Sequence, residues 1–84
     1  MSDSVERVYS VLAEAGVSAD AWKDPALPVI HVEITWGDWK HDHLRAKWAL
    51  ESRLGAICLG SMVTEEDGSD CYSAVHDFWV EGVE

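Results

Sequence analysis

Apolar residues recur along this chain with two different periods. Near its start Val5, Val8, Tyr9, Leu12 and Ala15 return at helical spacing, one face of a helix over residues 3–15. Asp3 or Ser4 supplies its N-cap, Glu6 suits its positive end, and Gly16 followed by Val17 is a glycine stop. Residues 29–36 (VIHVEITW) alternate instead and are rich in β-branched side chains, so they predict a strand. Ile30, Val32, Ile34 and Trp36 point one way; His31, Glu33 and Thr35 point the other.

Helical spacing returns after Gly37. Trp39, His43, Ala46, Leu50 and Leu54 form one stripe over residues 38–54, with Asp38 as N-cap and Gly55 at the left-handed stop. Leu44 and Trp48 lie well round the cylinder from that stripe, which predicts contacts on two sides. Residues 56–64 and 71–80 read as two more strands, joined by Glu65, Glu66, Asp67, Gly68, Ser69 and Asp70, a turn in which Gly68 can supply a positive φ. Residues 18–28 read as a connector with two prolines and one short turn around 20–23. Trp22 within it is expected to plug an edge of the core.

The hairpin tests these faces. If Thr64 faces Cys71, then Leu59 faces His76, Ile57 faces Phe78 and Cys58 faces Asp77. That register gathers Ile57, Leu59, Val63, Tyr72, Ala74, Phe78 and Val80 on one face, with His76 among them as a core histidine held by a hydrogen bond. It also sets Cys58 and Cys71 roughly 20 Å apart, too far for a disulfide. The expected fold is α+β in the order α-β-α-β-β. Its three-stranded, mainly antiparallel sheet has the order 1-3-2 (a split β-α-β), with both helices on one face and residues 1–84 forming one domain. Edge placement of the third strand, beside a parallel pair, is the alternative.

Charge changes the picture most. The chain has 16 acidic and 6 basic residues, net −10. Residues 38–54 hold four of the bases against three acids; the remainder holds 13 acids against two bases, a net of −11. Such a surface repels nucleic acid and anionic membrane and attracts a basic partner. No apolar run approaches the length of a membrane span, and the start lacks the basic-then-apolar pattern of a secretion signal. A cytoplasmic protein with reduced thiols is expected.

The topology brings the start of the central helix beside the acidic turn, gathering Asp38, Lys40, His41, Asp42, His43, Glu65, Glu66, Asp67 and Asp70. A metal site there meets an obstacle, because His41 and His43 lie about 200° apart on a helix. No metal-binding, nucleophile or phosphate-loop motif is present, so neither an enzyme nor a cofactor is expected. A surface is the stronger candidate. With both helices on one side, the other side of the sheet presents His31, Thr35, Cys58, Met62, Val75 and Trp79, an interface for a partner or a second copy unless Trp22 and the connector wrap over it.

The segments WGDWKHDHLR and VTEEDGSDCYSAVH resemble small bacterial and phage proteins without known activity. In size and acidity the chain is similar to phage-encoded inhibitors of host defence, such as anti-CRISPR and anti-restriction proteins. That resemblance implies occupation of a nucleic-acid channel by phosphate mimicry, and it carries no residue roles. The resulting expectation is a non-catalytic module docking on a basic protein or nucleoprotein complex through Glu65, Glu66, Asp67, Asp70, Asp38, Asp42, His41, Met62 and Trp79. The alternatives are a small metal- or ligand-binding protein using the acidic end, and a homodimer through the open sheet face.

Overall fold

The computed structural model describes residues 3–34, 39–65 and 72–83; side chains at 3, 39–41, 65 and 72 are outside that description. Its elements are α1 (Asp3–Glu14), β1 (Asp20–Lys23), β2 (Ile30–Ile34), α2 (Trp39–Leu54), β3 (Ile57–Glu65) and β4 (Tyr72–Trp79). The fold is α+β, two helices on a four-stranded antiparallel sheet of order β1-β2-β4-β3. The last strand in the chain, β4, does lie between β2 and β3, as expected. The expected sheet of three strands nevertheless needs correction, because a fourth, β1, extends the β2 side. Edge placement of β4 is excluded.

β1 was hidden because DAWK has no β-branched residue and no clear alternation. Tertiary pairing overrides that weak local preference: Ala21 and Trp22 pair with Val32 and His31. Residues 24–29 then turn the chain, with the Asp24 carboxylate accepting from the backbone N–H groups of Ala26 (2.8 Å) and Leu27 (2.9 Å). Trp22 does not plug the core. It stands 42% exposed, its ring 5.5 Å from that of His31 on the sheet face away from the helices.

Both glycine stops form as expected. Gly16 and Gly55 have φ of 74° and 67°, and the N–H of Val17 and of Ala56 reach back to Leu12 and Leu50 carbonyls at 2.9 and 3.1 Å. The core lies between the helices and one sheet face: Val8, Leu12, Ala46 and Leu50 pack with Ile30, Val32, Ile34, Ala74 and Phe78. Val80 and Val83, beyond β4, close its far end, where Arg7 Nη2 donates to the Glu81 carbonyl. Leu44 and Trp48 remain exposed on α2, so the second-side contact expected of that helix is absent among the described residues.

The β3–β4 hairpin departs from the expected register in two ways. Glu65 pairs with Tyr72 and Thr64 with Ser73, so the turn starts one residue later in the chain. A bulge between Cys58 and Gly60 then makes Leu59 the extra residue, and Cys58 pairs with Phe78 while Ile57 pairs with Trp79. One inserted residue reverses the phase of everything before it. Cys58 therefore turns toward the core and leaves the open face, while Ile57 and Leu59 are exposed instead of buried. Val63 keeps the helix-side phase beside Ala74 yet is exposed, since β3 runs out at the sheet edge. Cys71 and Gly68 lie outside the described residues.

Candidate functional site

The two edges of the sheet are built differently. β1 is four residues long, and its outward backbone groups at Ala21 are occupied: Tyr9 Oη, from α1, accepts from Ala21 N at 2.9 Å and donates to Ala21 O at 3.1 Å. One phenol thus closes the middle of that edge. β3 is nine residues long, and no strand lies beyond it among the described residues. Its side chains Ile57, Leu59, Met62 and Val63 are all exposed. A long edge strand lined with exposed apolar side chains is a template for another strand, and proteins ordinarily limit that exposure.

Behind β3 lies a polar relay that crosses into the core. His76 on β4 is 2% exposed, and its Nδ1 is 2.6 Å from Ser61 Oγ on β3. Its Nε2 is 3.1 Å from His43 Nδ1 on α2. The two rings are within 17° of parallel with centroids 5.3 Å apart. The centroid distance exceeds the N···N distance by about two imidazole radii, so the rings meet edge to edge, in line, as an N–H···N bond requires. Ser61 Oγ also lies 3.6 Å from Cys58 Sγ, whose thiol approaches the Gly60 carbonyl at 3.5 Å. Burial first, then the nearby His43 and Lys47, pushes the His76 pKa below its ordinary 6.5; burial does the same to His43. Both rings are neutral at pH 7.

A second histidine serves the other side. His31 Nδ1 is 2.6 Å from Asp77 Oδ1 and its Nε2 is 2.9 Å from Asp24 Oδ2. Both ring nitrogens face carboxylates, an arrangement that suits the doubly protonated imidazolium. The hydrogen bonds to Asp24 and then Asp77 raise the His31 pKa, and the bond to His31 is the largest cause lowering that of Asp24. This clamp ties the 24–29 turn down on the open face. His31 pairs with Asp77 and the adjacent Val32 with His76, so the two histidines occupy opposite faces of neighbouring strands.

Of the expected docking residues, Met62 and Trp79 are 68% and 37% exposed and lie on the open face, opposite Val75 and Ile57. Asp42 is half-buried on α2, with Arg45 Nη1 at 3.4 Å. Asp38, Glu66, Asp67 and Asp70, and the side chains of His41 and Glu65, lie outside the described residues. Within the described residues Ile34 pairs with Ala74 and Glu65 with Tyr72, so β2 and β3 end together at the start of β4. Among the described residues, no three His, Cys, Asp or Glu side chains converge as metal ligands. Ser61 and its link to His43 escaped the sequence. The available signal was that His43 and His76 both occupy core-facing positions, on elements that must pack together.

No helix among the described residues is long and apolar enough to cross a membrane. No protein-family model, curated protein or solved structure matches this chain.

Proposed function

We propose that this chain acts in the cytoplasm by binding, as an acidic inhibitor that docks on a basic, nucleic-acid-binding protein through the β3 edge and the adjoining open sheet face. The observation that carries this is the contrast between an edge at β1 closed by Tyr9 and a longer β3 edge, bulged near its start, that exposes Ile57, Leu59, Met62 and Val63. Strand addition to such an edge uses main-chain hydrogen bonds for affinity and alternate side chains for selection. Met62 and Trp79 are the apolar anchors beside it. Partner chemistry comes from charge: a chain of net −10 steers toward a basic surface and repels a second copy of itself. The acidic residues between β3 and β4 follow β3 directly, so steering charge and docking edge adjoin in the chain.

The test is affinity capture from host lysate with three baits: wild type, a β3 variant carrying Met62→Lys and Val63→Lys, and a β1-side variant carrying Tyr9→Phe. The account predicts a nucleic-acid-binding partner retained by the first and third and lost by the second. Surface plasmon resonance with that partner should show affinity falling steeply with salt and competition by nucleic acid. Trp79→Ala should act mainly on dissociation. Capture indifferent to the β3 variant, or self-association as the sole product, contradicts the proposal.

A further inference from the structure

Beyond docking, we propose that Ser61 is an activated nucleophile, with His76 as its general base and His43 positioning and supporting that base, able to take an acyl group from an activated ester. Three observations combine. Ser61 is exposed on β3, so its hydroxyl can be reached from solvent. Its Oγ is 2.6 Å from Nδ1 of a histidine that is 2% exposed and held in place by core packing beside Phe78. The far nitrogen of that histidine meets His43 in line at 3.1 Å. A serine backed by one histidine and a second behind it is the arrangement in which a hydroxyl proton can leave while the charge left on the base is shared.

The protons are consistent with that role. When Ser61 donates to His76 Nδ1, His76 carries its own hydrogen on Nε2 and donates it to His43 Nδ1. Because burial keeps His76 neutral at pH 7, the base is in its working form. In the step itself, Ser61 Oγ bonds to the carbonyl carbon of the ester while its proton passes to His76 Nδ1. The bond from that carbon to the aryl oxygen then breaks, and His76 returns the proton to the departing oxygen. The products are an acyl-serine and a phenol. Ser61 lies on an edge strand, where alternate backbone N–H groups point away from the sheet.

The charged groups acting on His76 are Lys47 and Glu51 of α2 and Asp77 of its own strand, together with His43. The experiment uses the intact chain and 4-nitrophenyl acetate, following nitrophenolate release and locating the acetyl group by peptide mass mapping. The expected result is one acetyl group on Ser61, formed about tenfold or more faster than in the same chain unfolded in urea, and absent in Ser61→Ala. His76→Gln should slow it about a hundredfold. If that variant does not fold, His43→Gln decides: it should slow acylation less and move the midpoint of the rate–pH profile, which in the wild type lies below 6.5. Acetylation on Cys58 instead, equal rates in folded and unfolded chain, or an unchanged profile in His43→Gln overturns the proposal.

Discussion

The sheet has two edges, and each is backed by a histidine, yet they are finished in opposite ways. At β1 the strand is short, Tyr9 occupies the outward groups of Ala21, and the next turn is tied to the open face by His31 between two carboxylates. At β3 the strand is long, bulged at one end and lined with exposed Leu59, Met62 and Val63, and its histidine lies inside, tethering Ser61 from behind. Edge protection is the ordinary requirement for a soluble antiparallel sheet. Its presence at one edge shows that this fold can meet it. At the other the bulge lies near the start of the strand, and Met62 and Val63 beyond it stay exposed, which is what makes β3 informative.

The largest effect separates the two histidines. His76→Ala leaves a cavity in the core and removes the ring that hydrogen-bonds Ser61 and His43, so unfolding in urea should show a loss of about 2–4 kcal/mol. His31→Ala removes a half-buried clamp at the surface of the open face, outside the core, and the loss should stay under about 1 kcal/mol. Equal losses would mean that the two sites are not distinguished by burial.

Next comes the docking edge. Met62→Lys with Val63→Lys should leave stability within about 0.5 kcal/mol at each exposed site. It should weaken partner binding at least about tenfold, a difference of about 1.4 kcal/mol. Tyr9→Phe tests the closed edge: losing the bridge to Ala21 should cost about 1 kcal/mol and leave partner binding unchanged. A Tyr9→Phe protein that binds partner through β1 would show that the phenol is what keeps that edge closed.

The smallest effect is in pH, and its sign differs between the two sides. The His31 pKa is raised, so its stabilisation is complete below 6.5 and is lost as pH rises through the folded value. His76 and His43 are lowered, so theirs is complete above 6.5 and is lost as pH falls through the folded values. Asp24, also lowered, contributes above 3.8 and loses its share at lower pH. Imidazole NMR titration should place His31 above 6.5 and the other two below it. Asp77→Asn should bring His31 down most, because that carboxylate hydrogen-bonds its ring directly, and His76 slightly.

Legibility in the sequence followed from how local the cause was. Gly16 and Gly55 announce their stops because a positive φ is a property of one residue, and residues 29–36 announce β2 because alternation is a property of eight. The α+β class followed from those periods. β1 depends on pairing with β2 and on a phenol twelve residues before Ala21, neither of which marks the residues DAWK. The Cys58–Gly60 bulge inverted Cys58, Ile57 and Leu59 because strand parity carries no trace of an inserted residue. His76 was legible as a core histidine with a hydrogen bond, since its phase in β4 was right. Its partners Ser61 and His43 were not, because they come from separate elements joined only by packing.

Amide hydrogen exchange on the free chain and on its complex with the captured partner tests the central claim most directly. The account predicts new protection along Ile57–Glu65 in the complex, strongest at alternate residues as an added strand requires, with Asp20–Lys23 unchanged. Protection that appears at Asp20–Lys23, or on α2 around Leu44 and Trp48 while β3 continues to exchange freely, would contradict it.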